Sequence, residues 1–435
     1  MSRALRHLAA AAALAGACLP AWAVSHVFLV QNSGWMEPFY ADPASQFKPL
    51  VVELAAAVTQ PGDLMVLASF NQGRPGAPSP KALLSARVAS GGAREQVRAA
   101  LESLQPARKP GSSALADTDL GEAVQAATGK ALGGRPGLVW LVTNNRNSPD
   151  NDQATALRNR EFYQLIHQGG SITKTLAWPL KMQVQGRQFR ANGLMVYVFA
   201  VGEQGAGELD ALLASGRIAK VITEPPARLK PLDRATVRLV PRKVEDAPGV
   251  SFSMAANGML RADVSPDAKT PAARIGWSLE NTMYPYTIAS ATLAARSVLA
   301  GEDRPIRLAN AKVDGLAPGK SVPLASVIQL PVAQLPSKWS LEALGSAGSA
   351  YVLPGRIELT LTGQRLELSR AFRERMAALF PGDPLPDIFV PPSGIDGSRA
   401  VLPIEVRVHY GVGPLLAVMA ASGQRRALVA PAFPA

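Results

Sequence analysis

Between His26 and about Ile222 the chain alternates between segments that read as strands and segments that read as helices. This order is typical of a mostly parallel sheet flanked by helices, because parallel strands need a long crossover between them. The strand-like segments are short apolar runs, whereas the helix-like segments carry apolar residues every three or four positions. The sequence therefore predicts an α/β fold for this part of the chain.

The individual elements follow from the same periodicity. The predicted strands are residues 26–31, 64–70, 82–88, 138–143, 173–178, 183–189 and 194–201. The predicted helices are residues 48–58, 93–104, 118–132, 154–168 and 208–215. Residues 173–178 and 183–189 are interpreted as a hairpin added to the sheet.

From about Thr223 the pattern changes, since prolines separate short segments that favour strands. Short strands at this spacing predict an all-β region of the immunoglobulin-like sandwich type. One helix is expected within it, at residues 369–379, followed by a proline-rich loop at 381–392. The predicted domains are an α/β domain at 24–222 and a β-sandwich region at 223–435, either one elaborated domain or two small ones.

The first 23 residues have the features of a signal peptide. Arg3 and Arg6 precede a short apolar run, and Ala21-Trp22-Ala23 is a small-x-small cleavage site. Cleavage there predicts a periplasmic or secreted protein, with lipid attachment at Cys18 as the alternative. Cys18 is the only cysteine, so the folded part is expected to contain no disulfide and no thiolate zinc site.

The formal net charge of +12 favours anionic partners. An anionic membrane surface fits this charge, as does an acidic envelope protein or glycan. The basic residues are scattered and form no run with interleaved aromatic residues, so no nucleic-acid partner is expected.

Motifs for catalysis are few. His26, His167 and His409 have no zinc spacing. Ser45 with Lys48, and Ser171 with Lys174, share the Ser-x-x-Lys spacing of penicillin-binding proteins, but the companion motifs are missing. The chain is therefore expected not to be an enzyme.

Three segments resemble the loops that carry the metal site of von Willebrand factor A (vWA) domains. His26 to Met36, HVFLVQNSGWM, resembles the first strand and turn of that family, which has Asp-x-Ser-x-Ser. Ala116 to Ala127, ADTDLGEAVQAA, resembles the second loop, with Thr118 as its threonine. Gly137 to Asn145, GLVWLVTNN, resembles the third, which normally reads Thr-Asp-Gly.

In the family these loops hold a divalent cation that accepts an acidic group from the ligand. Here Gln31 replaces the first acid, Ser33 matches the middle serine, and Trp35 replaces the last serine. Asn144 replaces the acid of the third loop. Placing Asn32 rather than Gln31 at the first position also gives no acid. Since Mg²⁺ and Ca²⁺ bind most strongly through carboxylates, no cofactor is expected.

The resemblance implies a rim of polar groups at the carboxyl ends of the strands, where open α/β sheets bind ligands. The expected ligand-binding residues are Gln31, Asn32, Ser33, Trp35, Thr118, Asn144 and Asn145. They predict a non-catalytic interaction or scaffold protein that binds an envelope protein or glycan. One alternative is metal-dependent adhesion through Mg²⁺ or Ca²⁺ held by Asp117, Asp119, Asp150 or Asp152. An envelope hydrolase is the remaining alternative.

Overall fold

The computed structural model describes residues 24–147, 153–232, 237–245, 248–265, 268, 272–330, 350–383, 385–391 and 399–409. The chain divides into two compact units. The first extends to Pro231 and also includes Ala371–Val390, and the second contains Leu232–Arg370 and the chain from Pro391. Two segments of the expected C-terminal region, residues 223–231 and Ala371–Val390, thus belong to the first unit. The expected signal peptide and the candidates Asp150 and Asp152 lie outside the described residues.

The described part of the first unit contains one seven-stranded sheet, ordered β3-β2-β1-β4-β6-β5-β7. Its strands are β1 (Ser25–Gln31), β2 (Leu64–Phe70), β3 (Lys81–Arg87), β4 (Gly137–Thr143), β5 (Ile172–Gln185), β6 (Arg190–Val201) and β7 (Ala227–Lys230). β1 is parallel to β2 and β4, and the other neighbouring pairs are antiparallel.

The prediction of a mostly parallel sheet is therefore wrong, although the α/β class is confirmed. β5 continues to Gln185 without the break expected near residue 180, and only residues 186–189 connect it to β6. Such a short connection permits only an antiparallel pair. β6 consequently returns beside β4 in the opposite direction, with Val196 opposite Val142.

Helices of the described chain match most of the predicted ones. Their bounds are Glu37–Ala41, Phe47–Val58, Arg94–Glu102, Leu120–Ala126, Gln153–His167, Gly202–Ala214 and Arg370–Leu379. Short 3₁₀ turns lie at Gly34–Met36, Ile218–Lys220 and Asp387–Phe389, and a π-helical turn lies at Ala127–Ala131. Among these helices none is long and apolar enough to cross a membrane.

Both faces of the first sheet are covered, which explains why β1 and β4 are apolar over most of their length. On one face Phe28 of β1 and Trp140 of β4 belong to a core that includes Val51 of helix Phe47–Val58. On the other, Phe162 of helix Gln153–His167 makes edge contacts with the rings of Tyr197 and Phe199.

The segment Ala371–Val390 is anchored to the first unit by apolar and polar contacts. Phe372, Met376 and Leu379 of its helix are buried. Arg375 Nη2 donates to the carbonyl of Pro179 at 2.7 Å. At Gly193 of β6, an added Cβ would lie 2.8 Å from Leu379 Cβ and 2.9 Å from its carbonyl oxygen. Glycine at this position therefore permits the close approach of the segment.

The described part of the second unit contains two sheets. One is ordered β13-β12-β17-β18-β10-β9, with β15 also pairing with β12, and the other is ordered β14-β16-β11-β8. The strands are β8 (Val237–Glu245), β9 (Val250–Met254), β10 (Leu260–Val264), β11 (Ala272–Asn281), β12 (Tyr286–Leu299), β13 (Glu302–Arg304), β14 (Ile306–Leu308), β15 (Lys312–Leu316), β16 (Ser321–Gln329), β17 (Ala350–Leu368) and β18 (Arg399–His409). Buried Trp277 donates its Nε1 proton to Ser326 Oγ at 2.7 Å.

Candidate functional site

The side-chain amide of Gln31, at the end of β1, lies at the centre of a buried hydrogen-bond network. Its Nε2 donates to Ser33 Oγ at 2.6 Å and to Thr118 Oγ1 at 3.0 Å. Its Oε1 accepts from Thr143 Oγ1 at 2.5 Å and from the backbone N–H of Asn144 at 3.0 Å. The hydroxyls of Ser33 and Thr118 are 2.6 Å apart and also hydrogen-bonded. One amide thus joins the chain after β1, the loop containing Thr118 and the end of β4.

Local contacts explain why these loops meet. β1 and β4 are parallel neighbours, so their last residues, Gln31 and Thr143, lie at the same edge of the sheet. Asn147 then holds the loop before helix Leu120–Ala126, because its carbonyl accepts from Thr118 N–H and its Oδ1 accepts from Leu120 N–H. Gln31, Ser33, Thr118 and Thr143 are each 0% exposed.

The network contains only neutral groups. A primary amide has two donor protons and two acceptor positions, and Gln31 uses all four. Its N–H groups point at the hydroxyls of Ser33 and Thr118, the oxygens that a cation would otherwise use as ligands. A cation would have to displace this amide without a carboxylate to offset its dehydration. The centre is thus built to be stable without metal.

Two of the four candidate aspartates are described, and each is already paired with basic groups. Asp117 Oδ2 accepts from Arg74 Nη2 at 2.7 Å and from Lys109 Nζ at 2.9 Å. Asp119 Oδ1 caps helix Leu120–Ala126 by accepting from Glu122 N–H, and Oδ2 lies 3.6 Å from Arg158 Nε. Among the described residues no group of three or more His, Cys, Asp or Glu side chains is arranged to hold a metal ion.

The remaining amides of the expected rim also have local partners. Asn32 Oδ1 accepts from Asn71 Nδ2 at 3.2 Å, and its Nδ2 donates to the carbonyl of Gln105 at 3.3 Å. Asn145 adopts a left-handed conformation with φ of 68°. Its Oδ1 accepts from the Tyr197 hydroxyl at 2.5 Å. Burial raises the pKa of Tyr197, so this hydroxyl remains a proton donor.

A cavity of about 540 Å³ lies beside the network within the first unit. Its wall combines the loop after β4 with the segment Ala371–Val390. The residues that line it include Trp35, Asn144, Arg146, Asn159, Phe380 and Leu385. Three of the expected rim residues, Trp35, Asn144 and Asn145, line this cavity. Gln31, Ser33 and Thr118 lie behind it in the network.

Arg146, Asp383 and Asp387 are charged residues of the cavity wall, and Trp35 contacts Arg146 there. The Arg146 guanidinium carbon lies 4.3 Å from the centroid of the Trp35 ring, within the range of a cation–π contact. Phe189 contacts the same indole with centroids 4.5 Å apart. Arg146 also holds Asp383 through two contacts, Nε to Oδ2 at 2.7 Å and Nη2 to Oδ1 at 2.6 Å. The Trp35 Nε1 proton is buried and has no hydrogen-bond partner among the described residues.

No protein-family model matches this chain. A comparison with curated protein sequences gives no match either. The chemistry of the site therefore carries the functional argument.

Arg146, Phe189, Phe380 and Asp383 were not among the sequence candidates. Arg146 directly follows Asn144 and Asn145, so its position after a buried strand was an available signal. Asp383 is 237 residues away from its partner along the chain. No local pattern links these two positions, because the contact depends on the placement of Ala371–Val390 in the first unit.

The Ser-x-x-Lys pairs are used structurally. Lys48 Nζ donates to the carbonyl of Glu102 at 3.0 Å, and Ser45 Oγ accepts from Phe47 N–H at 3.3 Å. Lys174 Nζ pairs with the carboxylate of Asp210. Each lysine thus has a partner other than its serine, which gives neither serine an evident general base.

Proposed function

We propose that this chain is a non-catalytic binding protein of the bacterial envelope. Its partner is a protein or glycan that enters the cavity beside Trp35. The observation that carries the proposal is the buried Gln31 network, which fixes three loops at one end of the sheet by neutral hydrogen bonds. A rigid edge with an adjoining cavity is suited to recognition, because few groups need to be ordered when the partner binds.

We assign the first unit to a vWA-like arrangement and the second to an immunoglobulin-like sandwich as part of the same proposal. Support for the first assignment comes from the parallel trio β2-β1-β4 and from the meeting of Gln31, Ser33, Thr118 and Thr143. Support for the second comes from the paired strands of the two sheets. Function is argued from the cavity, since a fold alone does not determine it.

The cavity wall offers several means of holding a partner. Arg146 supplies positive charge, Asp383 and Asp387 supply negative charge, and Phe380 and Leu385 supply apolar surface. A buried donor without a partner costs about 1–3 kcal/mol. The Nε1 proton of Trp35 is such a donor, so a partner that reaches it with an acceptor would recover part of that free energy.

Support for the proposed envelope location comes from the basic and apolar segment at residues 1–23. Fractionation of cells that express the full chain tests this directly. We expect the protein in the periplasmic or secreted fraction, and recovery in the cytoplasm would contradict the assignment.

The binding proposal is tested with the intact chain on a peptide array and a glycan array. We expect a reproducible set of bound peptides or glycans that is lost in Trp35→Ala and retained in Met254→Ala. Met254 is an exposed apolar residue of the second unit, 45% accessible, and serves as the matched control. Equal binding by both variants would refute a role for this cavity.

A metal titration tests the neutral centre. A ligand that binds only the folded state raises the midpoint of thermal unfolding. We expect the same midpoint in EDTA and in millimolar Mg²⁺, Mn²⁺ or Ca²⁺. A rise of several degrees at sub-millimolar metal would instead favour metal-dependent adhesion. A turnover on an envelope substrate that one cavity substitution abolishes would refute the non-catalytic assignment.

A further inference from the structure

Asp383 lines two neighbouring cavities of the first unit. It lines the cavity of about 540 Å³ and also a neighbouring cavity of about 280 Å³. Trp35, Arg146 and Phe380 line both as well. The ion pair between Arg146 and Asp383 is thus part of the wall of both cavities.

We propose that Asp383 occupies the position of a ligand carboxylate and that the natural partner is an acidic peptide. This inference rests on the proposed binding function and names the chemistry of its partner. An Asp or Glu side chain of the peptide would take the place of Asp383 on Arg146 and extend into both cavities.

The geometry at Arg146 supports a carboxylate as the recognised group. A guanidinium presents parallel N–H donors that match the two oxygens of a carboxylate, and Asp383 uses this fork through Nε and Nη2. The Trp35 ring restricts the orientation of the guanidinium. An incoming carboxylate would therefore find its partner already oriented, with Phe380 as apolar surface beside it.

The segment that carries Asp383 is held by contacts other than this ion pair. Its helix buries Phe372, Met376 and Leu379, and Arg375 donates to Pro179. His167 Nε2 lies 3.1 Å from the carbonyl of Ile388 at the other end of the segment. Asp383 lies between these two anchors, next to Gly382 with φ of 80°. Release of the Asp383 side chain would therefore leave the anchors in place.

A peptide fits the surroundings better than a glycan. Sugars are commonly bound by stacking on an aromatic face, but the Trp35 ring already contacts Arg146 and Phe189. Asn159 Oδ1 accepts from Asn147 Nδ2 at 2.5 Å, so a contact between Asn159 and a peptide backbone would use its amide N–H groups.

Two pools of immobilised hexapeptides provide the test with the intact chain. The acid pool has Asp or Glu at one fixed position, and the amide pool has Asn or Gln there. We expect the wild-type chain to bind the acid pool at least ten-fold more tightly. If the internal pair occupies Arg146 about nine-tenths of the time, Asp383→Asn should raise affinity for the acid pool roughly ten-fold. Arg146→Gln should abolish the preference for acid.

Asp210→Asn is the matched control, because it removes an aspartate from another ion pair of the same unit, with Lys174. Its affinity should equal that of the wild type, and unfolding midpoints should show that each variant folds. Equal binding of both pools, or an unchanged affinity in Asp383→Asn, would overturn this inference. Neither result would refute the proposed binding function, which fails only if the peptide and glycan arrays show no binding that depends on Trp35.

Discussion

Replacement of Gln31 by alanine tests the hydrogen-bond network most directly. The substitution removes the acceptor of two buried donors, the hydroxyl of Thr143 and the backbone N–H of Asn144. Ser33 and Thr118 lose the amide but keep their contact with each other. A buried donor without a partner costs about 1–3 kcal/mol, so two of them give about 4 kcal/mol of lost stability. The cavity left by the amide adds to this cost.

Urea unfolding followed by tryptophan fluorescence measures the loss. Trp140 and Trp178 are buried in the first unit and Trp277 in the second, so fluorescence reports on both units, and chains with more than one domain can unfold in separate steps. The transition that exposes Trp140 and Trp178 should shift in Gln31→Ala. The matched control is Gln188→Ala, in the exposed turn between β5 and β6.

The control should change stability by less than about 0.5 kcal/mol, as exposed substitutions usually do. A loss below about 1 kcal/mol in Gln31→Ala would refute the reasoning, because it would mean that water or relaxed neighbours replace the amide at little cost. A normal stability with lost binding would point instead to a direct contact between Gln31 and the partner.

Two further predictions concern charge in the first unit. Burial is the main cause that lowers the pKa of His26 to about 3, and the positive charge of Arg217 lowers it further. Asp63 Oδ2 lies 3.8 Å from His26 Nε2, too far for a hydrogen bond that would raise this pKa. Since the unfolded chain binds a proton near pH 6.5 and the folded chain does not, stability should fall from pH 6.5 downwards, by about 2 kcal/mol at pH 5. His26→Gln, which keeps an acceptor for Trp140 Nε1, should remove that part of the pH dependence in urea titrations; an unchanged profile would contradict the assignment. In Gln31→Asp, added Mg²⁺ should raise the midpoint of thermal unfolding, because the shorter carboxylate leaves room for a cation beside Ser33 and Thr118. Calorimetry that detects no Mg²⁺ binding to this variant would contradict the prediction.

Parts of the fold that depend on local pattern could be predicted from the sequence. β2 was expected at residues 64–70 and is observed at Leu64–Phe70, because a short apolar run has few alternatives. The direction of β6 was not predictable in the same way. It depends on whether Gly186–Phe189 forms a turn or part of a strand, and both interpretations fit the residues there.

The site, like the fold, contains features that the local sequence predicts and features that it does not. Polar residues at the ends of β1 and β4 indicated a rim, because parallel strands end at one edge. The sequence could not distinguish an amide facing a ligand from one that joins the loops, since both roles suit glutamine. Burial distinguishes them: Gln31 is 0% exposed.

Arg146 supplies positive charge to the cavity wall, whereas the centre of the loops is neutral. Gln31 is neutral and joins the loops at their centre. Arg146 follows Asn144 and Asn145 in the chain, and its guanidinium lies in the cavity wall. A guanidinium held against an indole can pair with a carboxylate without a cation from solution. Its pairing is partly exposed to water, with side chains 30% and 24% accessible for Arg146 and Asp383. Salt should therefore weaken the attraction of Arg146 for an acidic partner and for Asp383 to a similar extent. Competition between the two carboxylates for Arg146 should then persist over a wide range of ionic strength.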